Sequence, residues 1–123
     1  MLLFTIFDSK LGDDVTIYVG QSKEENWSLI DKSKQNDIWF HLADHPSCHV
    51  VINLAEHKNK DKDKKNREII SNKTIYYVAS LCKEHSKLKK IKKITVIYTE
   101  IKYIKKGKEI GSVYTKKTKR ITV

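Results

Sequence analysis

The chain has 123 residues, of which 39% are hydrophobic, and its formal net charge is +10 at pH 7. This length and apolar content are typical of one domain with its own core, which needs no disulfide or metal to hold it together. The two cysteines are too few and too far apart for a disulfide framework, and no apolar run approaches the length of a membrane span. Since no export signal begins the sequence, we expect a soluble cytoplasmic protein with no membrane partner.

The charge is divided unevenly along the chain. Residues 1–57 carry 4 basic and 9 acidic side chains, whereas residues 58–123 carry 21 basic and 6 acidic ones, so the net charges are −5 and +15. Because such asymmetry increases the self-repulsion of the folded state, a polyanionic partner is its natural use. A genomic bias toward lysine is the alternative reason, but it would not spare the first half of the chain.

The first half of the chain predicts four strands around a short helix. Runs rich in β-branched and aromatic residues, bounded by turn residues, are typical of strands. We expect strands at residues 2–7, 15–19, 37–42 and 49–54, and a short helix or two turns between 21 and 35. Ser22 is a candidate cap of that helix, because Glu25 follows three residues later.

The second half predicts a long helix followed by further strands. Residues 57–66 read HKNKDKDKKN, and a mobile Lys-rich loop is expected at about 57–67 because this segment has nothing to bury. Apolar residues then recur at helical spacing between 67 and 86. Strands are expected at 94–99, with a continuation at 101–104, and at 110–114 and 120–123. This order predicts a single α+β domain over residues 1–123, with a mostly antiparallel or mixed β-sheet and one long helix packed on one face.

The strand at 37–42 carries the motif D-x-W-F-H. Side chains alternate across a strand, so Asp37, Trp39 and His41 share one face of the sheet. If this strand and the one at 49–54 form a β-hairpin, with Pro46 in the turn, His49 lies near His41 on that face. An aromatic plane beside two imidazoles and a carboxylate suits an unpaired base.

These residues resemble the NFACT-R domain, the presumed RNA-binding module of ribosome quality-control factors and of stand-alone relatives. The resemblance covers nearly the whole chain. The matching residues are Gly20, Asn26, Leu29, Asp37, Trp39, Phe40, His41, Pro46, His49, Val50, Val51, Ile52, Val96, Tyr98, Thr99, Lys102, Lys105, Lys106, Gly111, Val113, Tyr114, Lys117, Thr118 and Val123. The sequence departs from the family pattern at Ser47-Cys48, where the family has Gly-Ser, and this affects the expected conformation of the loop. The resemblance implies the fold and a nucleic-acid-binding role, which in the full-length factors concerns tRNA and the large ribosomal subunit.

Three basic clusters are the candidate contacts to phosphate. They follow the long helix, form a basic turn and occupy the last hairpin, and their members are Lys89, Lys90, Lys92, Lys93, Lys102, Lys105, Lys106, Lys108, Lys116, Lys117, Lys119 and Arg120. Lysine is a point charge, so we expect affinity from phosphates and little reading of base edges. Lysines also protect exposed strand edges from aggregation, which is the alternative interpretation.

Three other functions are open at this stage. The run from His41 to His49 could supply metal ligands, although Pro46 and the strand patterns argue against a helical ligand face. His41 and His49 could act as base and acid in an RNA nuclease. The charge could also serve a protein-interaction adaptor or a DNA-binding relative.

The interpretation that the sequence favours is a non-catalytic module without metal or cofactor. It binds RNA, either tRNA or rRNA, or less favourably DNA. Protonation of His41 or His49 is expected to strengthen binding below about pH 6.5. Cys82, on the apolar stripe of the helix, is expected to be a buried, inert thiol.

Overall fold

The computed structural model of the protein describes residues 1–54 and 69–123, so the predicted loop at about 57–67 lies outside the described residues. Within them, the helices are α1 (Lys23–Lys32) and α2 (Asn72–Glu84), with a short 3-10 helix at Ile101–Tyr103. The strands are β1 (Leu2–Asp8), β2 (Asp13–Val19), β3 (Ile38–Leu42), β4 (Val50–Asn53), β5 (Thr95–Glu100), β6 (Ile104–Lys106), β7 (Val113–Thr115) and β8 (Lys119–Thr122).

Six of these strands form one sheet in the order β1-β2-β4-β3-β5-β8, and every neighbouring pair is antiparallel. β6 and β7 form a separate two-stranded ribbon. The predicted α+β class and antiparallel sheet are therefore confirmed. The separate ribbon is new, because the segment predicted as a continuation of β5 first turns through the 3-10 helix and so leaves the sheet.

One face of the sheet packs against α2. This helix begins later than the apolar spacing predicts, because Ser71 caps it: the Ser71 hydroxyl accepts a hydrogen bond from the Thr74 N–H at 3.2 Å. Its buried residues Ile75, Val78 and Cys82 recur at helical spacing and join the main core, which includes Phe40 and the other apolar side chains on that face of the sheet.

The opposite face of the sheet is covered by α1 and the β6–β7 ribbon. A second core cluster joins Leu29 of α1 to Trp39 and Val51 of the sheet, and Ile104 and Val113 of the ribbon pack against it. Two polar contacts hold the covering elements together. The Trp27 indole N–H donates to the Ser112 carbonyl at 2.9 Å, and Lys106 Nζ lies 2.6 Å from Asp31 Oδ2. The centre of the sheet is consequently buried on both sides.

Candidate nucleic-acid interface

The predicted basic residues lie almost entirely on the surface. Lys106 is half-buried, and the other members of the predicted set are exposed: Lys89, Lys90, Lys92, Lys93, Lys102, Lys105, Lys108, Lys116, Lys117, Lys119 and Arg120. We call these exposed residues the basic surface. Their role in binding remains a prediction.

The edge strand β8 connects two of the three basic clusters. The lysine run at 89–93 ends beside the last residue of the chain, where Ile94 and Val123 exchange two backbone hydrogen bonds of 2.9 Å. Lys116 and Lys119 lie at the other end of β8, and a strand of this length places the two ends about 13 Å apart. Lys83 Nζ reaches the same region as the lysine run, because it donates to the carbonyls of Lys92 and Val123.

Tyr103 contacts lysines of both the basic turn and the last hairpin. Lys102 Nζ lies 5.5 Å and Lys117 Nζ 5.0 Å from the centre of the Tyr103 ring. Lys117 has a positive φ of 55°, and the carbonyl oxygens of Lys116 and Lys117 both accept from the Thr99 hydroxyl, at 3.4 and 3.1 Å. The turn before β8 is thus fixed to the sheet, and it holds its lysines beside the ribbon.

Lys106 differs from the rest of the predicted set. Its ammonium pairs with the Asp31 carboxylate at 2.6 Å and lies 5.0 Å from the centre of the Trp27 ring. The charge is therefore used to attach the ribbon to α1. This pairing could not be predicted from the sequence, because 75 residues separate the two partners.

The D-x-W-F-H strand places its aromatic groups together, but not at the surface. The ring centres of Trp39 and His41 are 5.5 Å apart, those of Trp39 and His49 are 5.4 Å apart, and those of His41 and His49 are 5.2 Å apart. Trp39 and His49 are each 1% exposed. The expectation that Trp39 offers a stacking plane to a base is wrong, because α1 and the ribbon cover it. His41 is half-buried and is the part of this group nearest to solvent.

His49 is held as a neutral imidazole. Its Nδ1 accepts a hydrogen bond from the Trp39 indole N–H at 3.0 Å, so Nε2 carries the proton and is left for the Gly111 carbonyl. Burial and the neighbouring His41 lower the pKa of His49 to about 3, although the bond to Gly111 opposes this. Burial also lowers the pKa of His41. The contact of 2.6 Å between its Nδ1 and the Leu42 carbonyl raises this pKa, but the effect of burial is larger.

These shifts bear on two expectations. Because both pKa values are lowered, protonation of His41 or His49 requires a pH below that of an ordinary imidazole, and any gain in binding that depends on it moves to more acidic pH. The geometry also gives no support to a nuclease that uses the pair as acid and base. A general acid must hold a proton near the working pH and reach its substrate, whereas His49 is neutral, buried and bonded at both ring nitrogens.

Asp37 directly precedes β3 and is a structural residue. Its carboxylate accepts from the Leu54 N–H at 2.8 Å and from the Lys34 N–H at 2.9 Å, and it is 3% exposed. The carboxylate therefore joins the residue after β4 to the segment before β3 and is not presented to a ligand.

Two features were not foreseen from the sequence. Cys48 and Cys82 are free but adjacent, and the Sγ atom of each lies 3.8 Å from the backbone carbonyl of the other. Asn26, which appeared only as a residue of the family pattern, accepts the His49 backbone N–H at 3.0 Å and is 7% exposed.

Among residues 1–54 and 69–123, no group of three or more His, Cys, Asp or Glu side chains is arranged to hold a metal ion. In the same residues, no helix is long and apolar enough to cross a membrane.

Curated proteins of similar sequence match most of this chain. Curated relatives include the Rqc2 homolog RqcH of Bacillus subtilis (strain 168), 31% identical over 93 residues, which are 75% of this chain and 14% of that protein. Coiled-coil domain-containing protein 25 of Bos taurus is 32% identical over 114 residues, 88% of this chain and 51% of that protein. The chain thus spans about half of the second relative and a much smaller part of the first.

A solved structure has the same fold. The C-terminal part of the fibronectin/fibrinogen-binding protein from Streptococcus suis superposes with a TM-score of 0.73 at 27% identity, covering 97% of this chain and 43% of that one. The family model described as the NFACT protein RNA binding domain matches residues 3–117. The chain therefore belongs to the NFACT RNA-binding domain family, as its sequence resemblance predicted.

Proposed function

We propose that this domain binds RNA without chemistry, through phosphate contacts made by the basic surface. The observation that carries the proposal is the junction at β8, where Lys102 and Lys117 meet on Tyr103 and the lysine run adjoins the far end of the strand. A row of ammonium groups on a strand edge can follow a phosphate backbone, while it carries little information about base sequence.

The family supports RNA as the ligand and ribosome quality control as the setting. The family model is described as RNA binding, and one relative is named as a homolog of Rqc2. We place the domain on tRNA or on rRNA of the large ribosomal subunit, in the cytoplasm. DNA is the variant of this proposal to be tested beside RNA, because phosphate contacts are common to both.

The test is fluorescence anisotropy with labelled tRNA, single-stranded RNA and duplex DNA over a series of salt concentrations. The variant Lys105→Gln, Lys116→Gln, Lys119→Gln removes three charges of the basic surface. The matched control Lys32→Gln, Lys34→Gln, Lys73→Gln removes three exposed charges that lie outside it.

If each of the three lysines contacts one phosphate of single-stranded RNA, the slope of log K against log salt becomes shallower by about 2. The control variant should keep the slope of the unmodified protein. Equal losses in both variants would show that only total charge matters, and would contradict a defined surface. Failure of all three nucleic acids to bind at low salt would refute the proposal and favour a protein-interaction adaptor.

A further inference from the structure

A cavity of about 590 Å³ opens beside the basic surface and is not used by the phosphate contacts proposed above. It lies between the start of α1, the loop that joins β3 to β4 and the residues that follow α2. Its volume is within the range of pockets that hold small organic ligands. Lys87 lines the cavity and lies two residues before the lysine run at 89–93, so it connects the cavity to the basic surface.

The charged side chains that line the cavity, Lys23 and Lys87, are both basic. His45 and His85 also border the cavity, and none of its described lining residues is acidic. Apolar atoms of Pro46 and Leu88 contribute to its walls. Such a site favours a ligand with an apolar, planar body and an anionic end.

Asn26 supplies a specific polar group at the cavity. It is only 7% exposed, and its Oδ1 is committed to the His49 backbone N–H at 3.0 Å, which fixes the orientation of the amide. A Cβ added at Gly20 would lie 2.3 Å from this Oδ1, so the glycine allows the close approach that holds Asn26 in place. The Nδ2 donors are left without a hydrogen-bond partner among the residues that the structure describes. An amide donor held in a fixed orientation is suited to an acceptor on a base edge.

We propose that the cavity holds one unpaired nucleotide of the bound RNA strand. Its base lies against the apolar wall and accepts a hydrogen bond from Asn26 Nδ2, and its phosphate meets Lys23 and Lys87. The inference rests on the proposed function, because an RNA strand bound along the lysine run would lie next to the cavity. It adds what the basic surface lacks, which is a contact to a base.

Cys48 provides a direct measure of occupancy. Cys48 lines the cavity and is half-buried, whereas Cys82 is fully buried, so alkylation by iodoacetamide reports on the cavity. The probes are uridine and adenosine 5′-monophosphate, with the nucleosides and inorganic phosphate as separate arms. At a nucleotide concentration about ten times the dissociation constant, mass action predicts that alkylation slows about elevenfold. The nucleosides should protect less at the same concentration, and phosphate alone should not protect.

Two variants test the named contacts. Asn26→Asp keeps an oxygen for the His49 N–H and replaces the Nδ2 donor by an acceptor, while Lys87→Gln removes one rim charge. Both should weaken protection by the nucleotides, and the second does so without touching a buried residue. Alkylation in the absence of nucleotide serves as the control for folding, since it should remain confined to Cys48.

The outcomes separate the cavity from the basic surface. RNA binding with steep salt dependence but no protection of Cys48, by RNA or by nucleotides, would overturn the cavity site and leave the proposed function intact. Protection by nucleotides without any RNA binding would refute the proposed function and support a site for free nucleotides. Protection by phosphate alone to the same extent as by nucleotides would overturn the role of the base.

Discussion

The neutral state of His49 predicts that the domain loses stability in mild acid. The pKa of His49 is lowered to about 3 in the folded protein, and an ordinary histidine in the unfolded chain titrates near 6.5. Between these values the unfolded chain takes up a proton that the folded protein does not, so the free energy of unfolding falls as the pH decreases. The full difference is about 5 kcal/mol, and about 2 kcal/mol of it is lost by pH 5. His41 acts in the same direction, since burial lowers its pKa too.

The assay is urea unfolding between pH 7.5 and 4.5, with His49→Gln compared against the unmodified protein. Gln keeps an oxygen that can accept from the Trp39 indole but has no titrating group, so the effects of other residues cancel in the difference. His49→Gln should be less stable at pH 7, and the deficit should shrink by about 2 kcal/mol at pH 5. The exposed His45→Gln is the control, and its difference from the unmodified protein should not vary with pH in this way.

Parallel curves for the unmodified protein and His49→Gln would refute this reasoning. They would mean that the folded protein accepts the proton at an ordinary pH, and hence that the imidazole is not confined between Trp39 and Gly111. An increase in RNA affinity near pH 6.5 that His49→Gln abolishes would lead to the same conclusion.

Three further predictions concern single contacts. Trp39→Phe removes the N–H that donates to His49 at 3.0 Å and should cost about 2 to 4 kcal/mol in urea unfolding, whereas a cost near zero would contradict the buried bond. Burial raises the pKa of Asp8, but hydrogen bonds from Thr74, Leu11, Ser71 and Lys10 outweigh it and lower the pKa overall. Asp8→Asn should therefore destabilise the protein by about 1 to 3 kcal/mol at pH 7, with a deficit that diminishes as the carboxylate is protonated below about pH 4. A hydrogen bond from the Cys82 thiol lowers the pKa of Cys48, whereas that bond and burial raise the pKa of Cys82, so mass spectrometry should find Cys48 alkylated first. Equal rates would contradict this order.

The sequence predicted the elements of the main sheet because local patterns determine them. Alternating apolar residues located β3 and β4, helical spacing located α2, and the serine before α1 caps it as expected, with the Glu25 N–H donating to the Ser22 hydroxyl at 3.1 Å. Alternation also placed Trp39, His41 and His49 together on one face. It could not show that this face is covered, because alternation distinguishes two faces of a strand without telling what packs on each.

The covering layer depends on contacts between distant parts of the chain. Trp27 and Ser112 are 85 residues apart, and Lys106 and Asp31 are 75 residues apart. A charge pattern identifies exposed lysines well, since most lysines are solvated, but it cannot tell that Lys106 is paired with Asp31. The exposure of these lysines could therefore be predicted from the sequence, whereas the environment of the aromatic motif could not.

The residues that carried the family resemblance converge on His49. Trp39 donates to its ring, the Gly111 carbonyl accepts from the ring, Asn26 accepts its backbone N–H, and the Gly20 N–H donates to its carbonyl at 2.9 Å. Gly111 has a φ of +88°, and a Cβ there would lie 2.7 Å from Lys23 Cβ, so only glycine lets the ribbon approach α1 this closely.

This network joins the sheet, α1 and the ribbon at one buried imidazole, which explains Trp39 of the D-x-W-F-H motif and His49 as structural requirements. The proposed ligand contacts involve residues outside the network or at its border, namely the lysines of the basic surface and the amide of Asn26. If the contacts proposed for Lys23 and Lys87 are made, substitutions at these two lysines should weaken RNA binding, whereas substitutions at His49 that leave the fold intact should not.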